Sequence, residues 1–369
     1  MSPRAHTRRT AFGATVAATA MLGTLLVPSS ALAAGTPDAS DVLASTTAAE
    51  REALASAVRL TSPDEIHVAE GVDVDSSEQS ELIVVLRQPV PSTARALAAL
   101  DGEKLSARDA RDAVAAAQKR FLAHVKGSGV KAVQTYDDAL NAVVVRAKGT
   151  DVAALLTSPD VASVWPNDTF RLSLPSSDGE SGLTGGGVTY DEVAALRADG
   201  LDGTGIKVGV LDTGLDYRHP AIADTYRGGY DAVDNDDDPM ETSFEDWQAS
   251  GRPEKNRGAT YYTSHGTHVA GIIAGQDEAF GGRSAYGVAP GVDLYAYRVL
   301  GPYGSGTTED ILEGMERALS DGMDVVNMSL GASNNDHRSP LSVAADNLTL
   351  AGVTTVIAAG NDGEAGAAT

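Results

Sequence analysis

Cysteine is absent from the 369 residues. That excludes disulfides, thiolate metal sites and thiol nucleophiles, and leaves hydroxyl, imidazole and carboxylate groups to carry any chemistry. Positive charge is scarce: 28 Lys and Arg stand against 51 Asp and Glu, a formal net charge of -23. Such a balance argues against nucleic acid or an anionic membrane as partner, and suits solubility outside a cell and attraction of cations. A long apolar run is also missing. The best candidate, Ala11 to Val27, is short for a bilayer and rich in Ala, Gly and Thr, so it does not read as a membrane anchor. What is present is 42% hydrophobic residues in a chain long enough for two packed domains with appendages.

The apolar run follows Arg4, His6, Arg8 and Arg9 and precedes Ala31-Leu32-Ala33. That is the layout of a bacterial-type secretory signal over residues 1–34, with removal expected near Ala33 or Ala34 and a secreted product. Arg8-Arg9 invites a twin-arginine reading, but Phe12 stands one position late for it. Residues 35–80 read as a spacer: Asp41 to Leu60 is alanine-rich and can form one helix, whereas Thr61 to Ser80 is polar, acidic and aperiodic.

A small domain is expected over residues 82–172. Leu82 to Leu86 is a strand bounded by Gln88-Pro89, and Ser106 with Asp109 opens a helix whose apolar positions Val114, Ala117, Phe121 and Val125 recur at helical spacing. Strands at Val130 to Tyr136 and Ala142 to Val145, a short helix Asp151 to Leu156 and a last strand Val161 to Trp165 complete a β-α-β-β-α-β order, the split βαβ pattern of a ferredoxin-like α+β sheet. Residues 173–189 hold Pro, Ser, Asp and Gly185-Gly186-Gly187, a flexible linker open to cleavage.

Beyond it, from 190 to 369, strands and helices alternate. Strands are expected at Ile206 to Leu211, Leu294 to Val299, Val325 to Met328 and Thr354 to Ala359, and helices from near His265, at Thr308 to Leu319 (capped at Thr308) and at Pro340 to Ala351. Apolar runs without strict alternation suit parallel strands covered on both faces, so the expected fold is α/β, a doubly wound parallel sheet.

Three segments can carry chemistry. Asp212, in Val-Gly-Val-Leu-Asp-Thr-Gly, ends an apolar strand where such folds place their sites; it can orient an imidazole, bind a cation or simply cap a turn. His265 opens a helix of small residues, Ser-His-Gly-Thr-His-Val-Ala-Gly, whose glycines let the backbone lie close to neighbouring strands. His265 and His268 share a face and could pair on a metal, although no third His or Glu nearby completes a zinc set. The third segment is Ala-Ala-Gly-Asn-Asp-Gly, with Asn361.

Asp-Thr-Gly after an apolar strand, His-Gly-Thr-His-Val-Ala-Gly and Ala-Ala-Gly-Asn, in that order, resemble the motifs of the subtilisin-like serine proteases. The resemblance implies a subtilisin-like doubly wound sheet, here incomplete at its C-terminus, that hydrolyses peptide bonds of protein and peptide substrates by acyl-enzyme chemistry. It implies that Asp212 orients and stabilises His265 as general base and acid, with His268 in support, and that Asn361 donates to the oxyanion. Ser329-Leu330-Gly331 matches the segment that pairs with extended substrate, and Gly301 to Gly306 matches the rim opposite it. No cofactor is implied for catalysis. Asp234, Asp236 and Asp238, in the long polar connection from Gly229 to Tyr262, resemble a structural calcium loop of some members. A second calcium position of the family is not matched, because Ala221 follows His219-Pro220. Residues 82–172 resemble the family's propeptide, an intramolecular inhibitor and folding aid whose tail after Trp165 enters the cleft like a substrate strand.

The family's nucleophile motif, Gly-Thr-Ser-Met-Ala, does not occur. Thr369 lies eight residues past Asn361, so the chain is expected to be a protease fragment without its nucleophilic serine and inactive alone. The alternative is a truncated, non-catalytic product that acts through its propeptide-like domain as an inhibitor or folding chaperone.

Overall fold

The computed structural model describes residues 65–172, 190–276, 278–280, 283–331 and 336–360. The expected signal, the linker at 173–189 and Asn361 lie outside the described residues.

The first sheet is built from β1 (His67–Val68), β2 (Gln79–Leu86), β3 (Lys131–Tyr136), β4 (Ala142–Lys148) and β5 (Val161–Pro166), with α1 (Pro91–Leu100), α2 (Ala107–His124) and α3 (Val152–Leu156) between them. Its order is β1-β5-β2-β4-β3, with β2 antiparallel to both β4 and β5 and β3 antiparallel to β4. This is the expected split βαβ sheet, with α1 added and β1 joined parallel to β5 at the edge. The start of α2 follows from Ser106, whose hydroxyl accepts the Asp109 N–H at 3.1 Å. Ala110, Val114, Ala117 and Phe121 form its buried stripe.

The unbroken apolar run Leu82 to Leu86 has a double cause. Leu82, Val84 and Leu86 pack with Phe121 under the helices, while Ile83 and Val85 face the other way and share a core with Ile311, Leu312 and Met315 of the second domain. A strand covered on both faces has no polar side to alternate with.

The first domain ends in a tail strand, β6 (Thr169–Arg171), and the second domain runs through α4 (Tyr190–Ala198), β7 (Lys207–Asp212), α5 (Pro220–Ala223), β8 (Tyr226–Asp231), α6 (Phe244–Ser250), β9 (Lys255–Asn256), β10 (Ala259–Thr260) and α7 (His265–Ala274). After the hairpin β11 (Glu278–Phe280) and β12 (Arg283–Ala285) come β13 (Asp293–Arg298), β14 (Ser305–Thr307), α8 (Thr308–Ser320), β15 (Val325–Met328), α9 (Pro340–Leu350) and β16 (Thr354–Ile357). The main sheet runs β16-β15-β7-β13-β8 and is parallel throughout. Strand parity divides its two faces. Val208 and Val210 of β7 pack on Ala270 and Ala274 of α7, whereas Leu211 joins Ile311, Leu312 and Met315 of α8. Helices on both faces make it the doubly wound sheet expected from the sequence.

Three details differ from the sequence reading. The segment read as a spacer contains β1 and the first residues of β2. The cap of α8 is Thr307, one residue before the expected Thr308: Asp310 N–H donates to the Thr307 hydroxyl at 3.2 Å, and Thr307 N–H donates back to the Asp310 carboxylate at 2.7 Å. The polar connection between Asp212 and His265 carries β8, α6 and the hairpin β9–β10.

Candidate active site

β7 sits at the centre of the sheet and ends on Asp212, which is fully buried. Asp212 shares the parity of Val208 and Val210, so its carboxylate points to the α7 face, where His265 is the first residue of the helix. Two glycines permit the meeting. Gly214 adopts φ +111°, and a Cβ there would lie 2.9 Å from the carbonyl oxygens of Pro239 and Met240. A Cβ on Gly266 would lie 2.1 Å from the Gly214 carbonyl oxygen, so only glycine lets the first turn of α7 rest on the end of β7.

His265 Nδ1 lies 2.7 Å from Asp212 Oδ1 and 2.9 Å from Oδ2. An ionised carboxylate only accepts, so Nδ1 carries the proton and Nε2 keeps its lone pair. The ring is 29% exposed and the carboxylate 1%. This contrast gives an orienting group shielded from water and a base that can reach a reactant. The hydrogen bond to Asp212 raises the imidazole above its ordinary value; burial opposes this, and the charges of Asp212 and Glu241 add to the rise. Asp212 is itself held by the Thr213 N–H, 2.7 Å from Oδ1. Such a pair can take a proton from a hydroxyl and return it to a leaving group.

His268 is exposed, and its N–H donates to the Ser264 carbonyl within the helix. Among the described residues no group of three His, Asp or Glu is arranged to hold a metal ion. The acidic loop does not bring its three aspartates to one point. Asp234 Oδ2 accepts from Arg298 Nη1 at 2.7 Å, Asp236 Oδ1 accepts the Asp238 N–H at 2.9 Å, and Asp238 Oδ1 accepts the Tyr217 hydroxyl at 2.7 Å. As folded, this donor set does not fit a calcium ion, which needs six or more oxygens converging on one point.

Ser329, Leu330 and Gly331 follow the end of β15 at Met328. The Ser329 hydroxyl accepts from Asn327 Nδ2 at 3.0 Å, and Gly331 is exposed. The segment Gly301 to Gly306 leads into β14, which pairs antiparallel with β6, the tail of the first domain, in the register Ser305 to Arg171, Gly306 to Phe170 and Thr307 to Thr169. Leu172 N–H extends the ladder to the Gly304 carbonyl at 2.9 Å. Phe170, Leu172 and Leu330 pack against the same apolar cluster. The strand after Trp165 thus lies along this rim as an added β-strand.

One buried acid escaped the sequence reading. Glu241 is 6% exposed and lies beside Thr213 and the first turn of α7. Its position after the acidic run Asp236-Asp237-Asp238 hid it among solvated carboxylates, and its threonine partners at 213, 263 and 267 are too far away in sequence to have marked it.

A buried carboxylate that grips the Nδ1 side of a half-exposed imidazole has the form of the acid–base half of a nucleophilic hydrolase centre. Comparison with known proteins makes the class specific: residues 203–369 match the Subtilase family (peptidase S8), and residues 83–173 match the Peptidase inhibitor I9 family. The chain carries a Subtilase-family (peptidase S8) region preceded by an I9 inhibitor propeptide domain, and is homologous to the subtilisins. It is 36% identical over 304 residues to the Minor extracellular protease Vpr of Bacillus subtilis (strain 168), covering 80% of this chain and 35% of Vpr. Subtilisin E of the same organism is 31% identical over 257 residues, covering 69% of this chain and 57% of that protein. Subtilisin Savinase of Lederbergia lenta is 38% identical over 177 residues, covering 48% and 55%. The chain thus spans between about a third and just over half of these relatives.

Proposed function

We propose that this chain is part of a secreted serine endopeptidase in which Asp212 and His265 supply the acid–base half of the catalytic triad. The His265–Asp212 hydrogen bond, on a subtilase-family domain, carries this reading. In the reaction, His265 Nε2 takes the proton of a serine hydroxyl as the oxygen attacks the substrate carbonyl, and Asp212 stabilises the imidazolium. The Asn361 side-chain amide donates to the oxyanion; loss of one such donor costs on the order of 10²–10³ in turnover. His265 then protonates the leaving amine, and water repeats the cycle on the acyl-enzyme. Extended polypeptide substrate pairs with Ser329 to Gly331 on one side and Ser305 to Thr307 on the other. The strand Thr169 to Arg171 already pairs with Ser305 to Thr307, so the I9 domain acts as an intramolecular inhibitor until the chain is cut within 173–189.

Gly-Thr-Ser-Met-Ala does not occur in the 369 residues, and on this reading these residues alone are inactive for want of a nucleophile. Export follows from the signal-like residues 1–34. Among the described residues no helix is long and apolar enough to cross a membrane. The test is expression from the complete gene with His265→Ala beside the parent. The parent cleaves casein and releases its own mature chain, and the variant loses both by about 10⁶-fold in turnover. Normal self-processing in the variant would sink the assignment.

A further inference from the structure

Glu241 is the buried ionisable group nearest the proposed site that the mechanism leaves unused. Its Oε1 accepts from the Thr213 hydroxyl at 3.0 Å, the Thr267 N–H at 3.0 Å and the Thr267 hydroxyl at 3.2 Å, and its Oε2 accepts from the Thr263 hydroxyl at 2.5 Å. The direction of these bonds is fixed by what each threonine does on its other side. Thr213 Oγ1 accepts the Gly266 N–H at 2.9 Å, Thr267 Oγ1 accepts the Asp216 N–H at 2.8 Å, and Thr263 Oγ1 accepts the Thr242 N–H at 3.3 Å. Each hydroxyl takes a backbone proton and turns its own proton to Glu241. Four donors converging on two oxygens are the pattern of an ionised carboxylate, which has only acceptors to offer.

The backbone groups held this way are not arbitrary. Gly266 and Thr267 form the first turn of α7, beside His265, and Thr213 follows Asp212 and holds its carboxylate through an N–H. Ser264, the residue before the helix, makes no side-chain cap bond, so Glu241 supplies the negative group that the helix N-terminus favours. We propose that Glu241 is a positioning residue that locks the first turn of α7 onto the end of β7, through Thr213 and Thr267, and so holds the His265 ring on Asp212. It acts on the proton as well as on the geometry. The charged groups that act on the His265 ring are Asp212 and Glu241, and both favour the imidazolium. Burial raises Glu241 itself, the threonine bonds pull it down, and Asp212 pushes it up.

This inference rests on the assignment of His265 as the base, and its test is a titration that needs no hydrolysis. The His265 ring is followed by NMR in the whole ¹⁵N-labelled chain, with His265→Gln identifying its signals among the 7 histidines. Glu241→Gln keeps the shape and removes the charge, and is expected to lower the His265 midpoint by about 0.5 to 1 pH unit. A folded variant whose midpoint stays at the parent's value overturns the proposal. Thr213→Val keeps the charge and cuts the link to Gly266. It is expected to leave the midpoint in place and to speed exchange of the Nδ1 proton by about tenfold, because the ring is no longer held on its acceptor. Parent-like exchange there overturns the positioning role, and it decides the matter if Glu241→Gln does not fold. A shifted titration beside normal self-processing of His265→Ala expressed from the complete gene would overturn the proposed function and spare Glu241; an unshifted titration beside lost self-processing in that variant would do the reverse.

Discussion

Gly266 meets Asp212 so closely that a Cβ on the glycine would lie 3.1 Å from the aspartate Cβ. The second obstacle, the Gly214 carbonyl oxygen at 2.1 Å, is backbone and cannot rotate aside. Gly266→Ala must therefore move the head of α7 away from β7, and His265 travels with it. The expected cost is about 1–3 kcal/mol, the range for overpacking a close contact. Urea unfolding reads the loss, and the NMR signal of the Nδ1 proton reads the lengthened bond to Asp212. A stability equal to the parent's would show that the contact can relax.

The same pair makes stability depend on pH. His265 is raised above its ordinary 6.5 by its bond to Asp212, against the opposing effect of burial. A folded-state value above the unfolded one means that the contribution is fully present below about 6.5 and fades as pH rises through the raised value. Asp212→Asn removes the acceptor charge. The melting-temperature gap between parent and variant is expected to be widest in mildly acidic solution and to narrow as the pH rises. A gap that widens with pH contradicts the assignment.

The interface between the two domains titrates in the same range through carboxylates. Glu309 of α8 is pushed up to about 7 by burial first, then by Glu81 and Asp310, with Arg146 opposing and Glu313 adding. Glu81 belongs to β2 and Arg146 to β4, so this environment exists only while the inhibitor domain is docked. Glu316, which accepts the backbone N–H groups of Asp137, Asp138 and Ala139, is also raised by burial to about 7. Groups raised on docking bind protons in the docked state, so docking is tightest below the ordinary carboxylate value of 4.5 and weakens as pH climbs through about 7. Hydrogen exchange of the Asp137 to Ala139 amides, corrected for intrinsic rates, should report opening that rises from pH 5 to 8. Glu309→Gln should flatten the rise, and equal protection at both pH values would dismiss the effect.

The sequence made the frame of the site readable because the chemistry is local to motifs. Asp212 follows an apolar strand and His265 opens a run of small residues, so their place in an α/β sheet was legible in the sequence. Glu241 was not, because its partners at 213, 263 and 267 come together only when β7, the long connection and α7 are packed. β8 went unseen for another reason. Its Gly228-Gly229 core offers no side chains to alternate, and its place beside β13 is set by tertiary pairing. β1, two residues long, has no periodicity to display and is held by backbone pairing to β5 and by the contact of His67 with Trp165, ring centroids 5.0 Å apart. The acidic loop was read as a calcium loop from its resemblance to one in the family; that Asp234 pairs with an arginine 64 residues away is a tertiary contact the loop's own sequence does not display.

That arginine, Arg298, is 4% exposed and stands opposite Asp212 in the β7–β13 register. Its Nη1 donates to Asp231 at 2.5 Å and to Asp234 at 2.7 Å, and its Nη2 donates to the Thr242 hydroxyl at 2.8 Å. The guanidinium thus closes the loop that leads from β8 toward Glu241. Arg298→Gln would leave Asp231, itself buried, without its counter-charge, a change that costs about 3–5 kcal/mol when a buried pair loses one partner. Asp231 is already raised by burial, with Arg298 pulling it down, so the variant's aspartate titrates at a higher pH than the parent's. Protonation relieves the unpaired charge, and the destabilisation is expected to shrink as the solution is made acidic. Chemical unfolding of parent and variant at neutral and at acidic pH checks both statements. In the parent, where the loop carboxylates already hold Arg298, the Asp238 N–H and the Tyr217 hydroxyl, a calcium chelator is expected to leave the melting temperature unchanged. A fall on chelation would mean that the loop rearranges around the ion and releases the arginine.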